Sequence, residues 1–326
     1  MRRVLCEEFG PVEGLRVVEQ PDPVPGAGEV LVAVDAAGVS FVDGLIARGL
    51  YQVRPALPYT PGMALAGRVT GLGPGVAEPA PGTRVAGLMT GYGAYASDVT
   101  LPVTATVPLP DGVEPAVAAT ALENYGTLLY AVEHRVRIAP GEQVVVLGAG
   151  GGIGLAAVDV ARAAGARVVA VASSAEKRAA ALAAGAEHAI GYGEDPGALK
   201  EAIREATGGG ADVVVDPVGG PSAEAALRAL GGGGRYCVLG FAGGEIPRLP
   251  ANIVLLRNRT VVGVDWGDWS RASPAEAAAL ASTLLERVAA GGLHPPVPAR
   301  HPLEEAGRVL AMIGARAVTG KIALVP

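Results

Sequence analysis

Between residues 144 and 155 the chain runs from an apolar stretch, Val144-Val-Val-Leu147, through Gly148-Ala-Gly-Gly-Gly-Ile-Gly154 into the start of an Ala-rich helix near Leu155. A buried strand, a glycine turn and a helix N-terminus in direct succession constrain the fold more than any other feature of the sequence. A helix start gathers unpaired N–H groups and the positive end of the helix dipole, and glycine lets an anion reach them. Ala149, Gly150, Gly151, Gly152, Ile153 and Gly154 are the expected lining: Gly151 lets the backbone approach a pyrophosphate, and Gly154 lets the helix pack against the strand. The alternative, a tight turn with no binding consequence, is disfavoured by what surrounds it. Further apolar strands at Val168–Ala172, Ala189–Gly191, Val213–Asp216, Tyr236–Leu239 and Val261–Val264 alternate with Ala-rich segments at the spacing of βαβ units. Six such strands make a complete doubly wound dinucleotide-binding sheet.

The residues before this region have another texture. The first ~120 are rich in Gly and Pro, with short β-type runs such as Val30-Leu-Val-Ala-Val-Asp35 and Thr83-Arg-Val-Ala-Gly87 between turn signals, which predicts a mostly antiparallel, barrel-like β domain. At 326 residues the chain exceeds the roughly 250 at which single cores stop growing, so two domains are expected. Helices at Pro274–Ala290 and Glu304–Ile313 and a last strand at Lys321–Val325 have no second sheet of their own to join and are expected to return to the β domain. The expected division is therefore 1–121 with 265–326, and 122–264. Half the residues are hydrophobic but only 4% are aromatic, so both cores must be built mainly from Ala, Val and Leu.

The end of the second strand of the doubly wound sheet selects the dinucleotide. An NAD-specific fold carries Asp or Glu there, about 20 residues beyond the glycines, for the ribose 2′-OH. This chain has Ser173-Ser174 instead, with Lys177 at the start of the next helix. Two hydroxyls and an ammonium suit a 2′-phosphate, which points to NADPH. Arg178 is a second basic candidate, though exposed Lys and Arg on Ala-rich helices more often serve solubility.

Charge excludes other partners. A net charge of -6 and a pI near 5.4 leave no basic surface for nucleic acid or anionic lipid, so a small-molecule substrate is expected. Cys6 and Cys237 are too few for a disulfide framework or a four-cysteine zinc site. Met1-Arg2-Arg3 leads into Cys6-Glu7-Glu8 rather than an apolar signal core. The longest uncharged stretch, Gln143–Val158, is Gly-rich and shorter than the ~18 to 20 residues of a membrane span. A cytoplasmic protein that does not enter membranes is expected.

An ordered set of short motifs resembles the zinc-independent quinone oxidoreductases, the zeta-crystallin-like family of the medium-chain dehydrogenase/reductase superfamily. The set comprises Ala37-Gly-Val-Ser-Phe-Val-Asp43, Arg48-Gly-Leu-Tyr51, Pro61-Gly62, Tyr125-Gly126-Thr127, Gly148–Gly154, Asp216-Pro-Val-Gly-Gly220, Gly240-Phe241 and Thr319-Gly-Lys-Ile322. Any one is weak, but together they span nearly the whole chain in order. The resemblance implies an α/β protein with a Rossmann domain and a GroES-like β-barrel domain. It further implies that Tyr125 and Thr127 approach the cofactor, that Gly240, Phe241 and Val264 lie near the nicotinamide, and that Lys177 and Tyr192 bracket the 2′-phosphate. Arg316 and Lys321 fall on a C-terminal segment that runs beside the cofactor in this family; the alternative for both is an ordinary solvated charge. Ser40 stands where many relatives have Asn, and Ala64 where many have Glu.

No metal site is expected. The zinc alcohol dehydrogenases of the superfamily place Cys at the position of Ser40 and His at that of Met63, and His134, His188, His294 and His301 are scattered without ligand spacing. Without a Lewis acid, a simple ketone gains little stabilisation for its alkoxide, so the substrate should be a quinone or a similar conjugated carbonyl that spreads the charge as phenolate or enolate. Tyr51 and Ser40 are the expected hydrogen-bond donors; alternatively Tyr51 lines the cleft and Ser40 caps a helix. Reduction of the C=C bond of enones, 2-alkenals or enoyl thioesters would use the same site, although no Arg cluster announces a thioester channel. A non-catalytic NADPH-binding protein is the reading from another class, disfavoured by Tyr51, Ser40 and the full glycine loop. Finally, the apolar strand Thr260–Val264 ends the sheet and predicts a homodimer joined edge to edge.

Overall fold

The computed structural model of the chain describes residues 1–89, 91–193 and 195–326. It opens with a two-stranded antiparallel pair, β1 (Arg2–Leu5) and β2 (Arg16–Glu19). There follow β3 (Glu29–Gly38), α1 (Phe41–Ala47), β4 (Ala64–Leu72), β5 (Arg84–Leu88), β6 (Asp98–Pro102), β7 (Thr106–Pro108) and the long helix α2 (Pro115–Tyr130). β3 organises this region. One edge pairs antiparallel with β4 along its whole length, and the other pairs with β6 from Glu29 to Ala33. Val30 and Val32 are fully buried in β3, and with Leu65, Val69, Leu101 and Tyr95 they form the centre of the core.

The second region begins with β8 (Gln143–Leu147) and continues through α3 (Gly152–Ala163), β9 (Arg167–Val171), α4 (Ala175–Ala183), β10 (His188–Ile190), α5 (Pro196–Ala206), β11 (Ala211–Asp216), α6 (Ser222–Ala229), β12 (Leu230–Val238), α7 (Ala251–Leu255) and β13 (Thr260–Gly263). All six strands run parallel, in the order β10-β9-β8-β11-β12-β13. The expected doubly wound sheet is therefore present. Its strand order reverses at β8, and ligands of such sheets bind beyond the carboxyl ends of the strands at that point. Val144 to Leu147 are completely buried, as a central parallel strand covered on both faces requires.

One strand differs from expectation. β12 starts at Leu230, six residues before Tyr236: Leu230 pairs with Ala211, and the ladder to β11 resumes at Arg235 opposite Val213 after a register shift that passes over Gly231–Gly234, where no side chains advertise a strand.

The chain closes with α8 (Trp266–Ala272), α9 (Pro274–Ala289), β14 (Ala299–Pro302), α10 (Ala306–Gly314) and β15 (Ile322–Val325). β15 pairs parallel with β14 and antiparallel with the end of β3, so the C-terminus completes the first sheet. Two compact units result: Met1–Gly126 with Trp269–Gly291 and Pro296–Pro326, and Thr127–Asp268 with Gly292–Pro295.

Candidate active site

The glycine loop follows β8 directly. Gly148 adopts a left-handed conformation at φ +62°, and its N–H donates to the Tyr192 hydroxyl at 2.8 Å. A Cβ on Gly154 would lie 2.2 Å from the carbonyl oxygen of Gly148, so this residue must be glycine for α3 to sit on the loop. Gly151 is different: a Cβ there would meet only that same oxygen, at an ordinary 3.5 Å. The protein does not itself need the empty space at Gly151, which is where a pyrophosphate would approach. Gly151 is also the N-cap of α3 and brings no side chain to its first turn, so the helix start is left to an anion. Ala149 is buried, its N–H on Val171 O at 3.0 Å. Gly150, Gly152 and Ile153 complete the loop. These observations fit a dinucleotide phosphate.

The end of β9 presents Ser173 and Ser174, both exposed, and no carboxylate. Ser174 caps α4, its oxygen accepting the Lys177 N–H at 3.2 Å, so toward a phosphate it can offer only its O–H. The Lys177 stem packs on the loop; its Cβ lies 2.4 Å from where a Cβ of Gly150 would be. Arg178 turns away and donates to Ala172 O at 3.2 Å. The structure thus separates two basic candidates that sequence left side by side.

At the carboxyl end of β11, buried Asp216 pins the following turn, its Oδ1 accepting N–H bonds from Val218 (2.7 Å) and Gly219 (2.9 Å), and its Oδ2 accepting the Tyr236 hydroxyl. Gly219 (φ +66°) lies under the Phe241 ring, which approaches its Cβ position to 3.0 Å while remaining 39% exposed. Gly240 precedes that ring. Val264 continues the sheet edge, donating to Val238 O at 3.1 Å. Thr127, half-buried, stands at the start of this unit on α2.

In the other unit, Ser40 is the N-cap of α1 in a complete capping box. Its oxygen accepts the Asp43 N–H at 3.3 Å, and Asp43 Oδ2 accepts the Ser40 N–H at 2.9 Å. The same Oδ2 accepts the Tyr95 hydroxyl at 2.7 Å, whereas Oδ1 has no hydrogen-bond partner among the described residues. Glu123, on α2, lies within the electrostatic reach of Asp43 and Lys321. The Lys321 ammonium donates to Val39 O at 2.7 Å and lies within the field of both carboxyls, so it is not a solvated charge.

Burial raises the Asp43 carboxyl, against the opposing bonds from Tyr95 and Ser40. Burial, then the charge of Asp43, lifts Glu123 to about 7. Lys321 is lowered by the same desolvation, partly offset by the two carboxyls. Tyr51 is half-buried against the core of this unit, and Tyr125 is buried on α2. Arg316 is exposed just after α10, with a left-handed backbone at φ +58°.

Sequence had proposed Ser40 both as donor and as cap; the cap is observed. It had not singled out Asp43, Tyr95 or Glu123. Two signals were available: the Ser-x-x-Asp spacing of a capping box, and a lone carboxylate at Glu123 after the uncharged run Pro115–Leu122. Among the described residues, no group of three or more His, Cys, Asp or Glu side chains is placed to hold a metal ion, and no helix is long and apolar enough to cross a membrane.

Comparison with known proteins agrees with this architecture. Residues 26–111 match the alcohol dehydrogenase GroES-like domain, and residues 152–283 match the family described as zinc-binding dehydrogenase. The chain is 37% identical over 325 residues to the quinone oxidoreductase-like protein 2 of Mus musculus, covering 99% of this chain and 91% of that one. The solved quinone oxidoreductase of Escherichia coli complexed with NADPH superposes with a TM-score of 0.89 at 29% identity, covering all of both chains. A segment of a Mycobacterium tuberculosis mycocerosic acid synthase-like polyketide synthase is 35% identical over 305 residues, 92% of this chain and 14% of that protein. The chain belongs to the zinc-independent quinone oxidoreductase family of the medium-chain dehydrogenase/reductase superfamily, with its GroES-like and Rossmann domains. It is an oxidoreductase.

Proposed function

We propose that the protein uses NADPH to reduce a quinone or a similar conjugated carbonyl without zinc. The observation that carries this reading is the Gly148–Gly154 loop with Lys177 packed on it and no carboxylate at the end of β9. NADPH, when bound, supplies the hydride. The loop amides and the start of α3 would hold its pyrophosphate; Ser173, Ser174, Lys177 and Tyr192 would hold the 2′-phosphate end. Gly240, Phe241 and Val264 are assigned to the nicotinamide side, Tyr125 and Thr127 to contacts with the cofactor, and Arg316 to the cofactor's flank. Lys321, whose ammonium donates to Val39 O, is assigned with Arg316 to the segment beside the cofactor.

Ser40 and Tyr51 are assigned as the donors that stabilise the anion formed on the acceptor, which suffices when the charge is delocalised as phenolate or enolate. The 35% identity to a polyketide synthase segment favours a second reading, hydride delivery to the C=C bond of an enone or enoyl thioester at the same residues. An NADPH-oxidation screen over quinones, enones, 2-alkenals and enoyl thioesters, with product analysis, tests both. Turnover of quinones alone selects the first reading and turnover of C=C substrates alone the second; no NADPH oxidation with any acceptor rejects both.

A further inference from the structure

We propose that Asp216 is a positioning residue for the nicotinamide half of NADPH: its carboxyl fixes one wall of the dinucleotide crevice and does not act on the adenosine half. The inference rests on NADPH as the cofactor. It starts from the sheet. The strand order reverses at β8, so the crevice outside the carboxyl ends lies between the loop that follows β8 and the loop that follows β11. The first is the glycine loop. The second is the turn 217–220, to which the cofactor assignments above give no part.

This turn has to be held. Gly219 and Gly220 are consecutive left-handed residues, at φ +66° and +63°, and glycine loses more conformational freedom on ordering than any other residue. Asp216 supplies the hold. Its Oδ1 accepts the N–H groups of Val218 and Gly219, while its Oδ2 accepts the hydroxyl of Tyr236, a completely buried residue of the neighbouring strand β12. The carboxyl is thus moored to the core by one oxygen and directs the turn with the other. Those two N–H groups are spent inside the protein and are not offered to a phosphate. The start of α3, with no side-chain cap, keeps its N–H groups for one. The phosphates therefore belong on the β8 side of the crevice, and the β11 side is left to the second ribose and the nicotinamide.

Contacts run from the turn in both directions. Val218 packs on the glycine loop, its Cγ2 2.8 Å from where a Cβ of Gly148 would be. On the other side, Ala242 N–H donates to Pro217 O at 3.0 Å, Gly243 N–H to Val218 O at 2.6 Å, and Gly220 N–H to Glu245 O at 3.0 Å. These bonds carry the segment 240–245, and with it the exposed Phe241 ring that lies on Gly219. Releasing Asp216 releases that whole wall.

The test is calorimetric binding of two probes to the wild type, Asp216→Ala and Asp216→Asn. One probe is NADPH; the other is adenosine 2′,5′-bisphosphate, which carries the 2′-phosphate but neither the second ribose nor the nicotinamide. In Asp216→Ala the cofactor must order the turn itself, so the Kd for NADPH should weaken about 10-fold or more, with the bisphosphate unchanged within about twofold. Asparagine keeps an oxygen for the two N–H groups, and Asp216→Asn should stay within about threefold of the wild type for both probes. Should Asp216→Ala fail to fold, Gly219→Ala carries the test. Its Cβ would meet the Phe241 ring and Glu245 O at 3.0 Å on a left-handed backbone, displacing the same wall, and the same selective loss is expected.

Equal weakening of both probes, unchanged NADPH binding, or an Asn variant as weak as the Ala variant overturns the role of Asp216. A wild type that binds no NADPH overturns the cofactor reading and this inference with it. A wild type that binds NADPH but oxidises it with no acceptor rejects the proposed reduction alone, and the two probes still decide the role of Asp216.

Discussion

Replacing Lys177 with Ala removes an ammonium whose stem lies against Gly150 while leaving its scaffold in place. The cap of α4 survives, because Ser174 accepts from the backbone N–H of residue 177, and Ala is a good helix former. Arg178 is tied to Ala172 O and is not placed to substitute. The magnitude follows from exposure. Two unit charges at 4 Å interact by about 1 kcal/mol in water and about 4 at an effective dielectric near 20, and the half-buried Lys177 falls between. A charge-assisted contact of ~1.5 to 3 kcal/mol to the 2′-phosphate corresponds to roughly 10- to 100-fold in affinity. The Kd for NADPH, measured by calorimetry or by nucleotide fluorescence, should weaken by that factor in Lys177→Ala, with the Kd for NADH unchanged within about twofold. The gap between the two cofactors should narrow in the wild type as salt rises, since partly exposed charges are screened. A parallel loss of both cofactors, or an unchanged NADPH to NADH ratio, would refute the assignment of Lys177.

Three further outcomes are expected. Activity should survive strong chelation with no stoichiometric zinc by elemental analysis, because no group of three or more His, Cys, Asp or Glu side chains among the described residues is placed to hold a metal, and the resemblance puts Ser40 and Met63 where zinc ligands would stand; zinc lost together with activity would contradict this. β13 ends the parallel sheet with Thr260 and Val261 exposed beside exposed Leu255 and Leu256, so light scattering at micromolar concentration should give twice the 32.5 kDa chain mass. Val262→Pro, which removes a ladder donor, should weaken that dimer more than NADPH binding, and a monomeric wild type would defeat the idea. Glu142 accepts two N–H bonds from Arg235, at 2.6 and 2.8 Å, and its carboxyl is held below the ordinary 4.5, so its contribution is complete above that pH and is lost on acidification. Glu142→Gln should therefore cost about 1 to 2 kcal/mol in urea unfolding at pH 7, and the cost should shrink as the pH falls below 4.5; a cost that does not shrink in acid would show the ion pair is not its source.

Much of the nucleotide-binding sheet was legible because strands buried on both faces write themselves as continuous Val and Ala runs, and glycines mark where the backbone turns or meets a ligand. The start of β12 was not, since Gly231–Gly234 fall where the ladder to β11 shifts register and carry no side chains to announce a strand. The glycine loop and Lys177 were readable from local order. The Asp43 cluster was not, because its members meet only in three dimensions: Tyr95 reaches Asp43 across 52 residues, and Lys321 reaches Val39 across 282. Charged residues far apart in a sequence look like solvated surface until the fold brings them inside. Ser40 shows the remaining difficulty, since the structure shows its capping role directly while a donor role for the same hydroxyl rests on the proposed function.

Asp43 closes the cap of α1 and accepts the Tyr95 hydroxyl. A single carboxylate thus ties the start of a helix to a side chain 52 residues further along the chain, so a substitution at Asp43 should release both together rather than either alone.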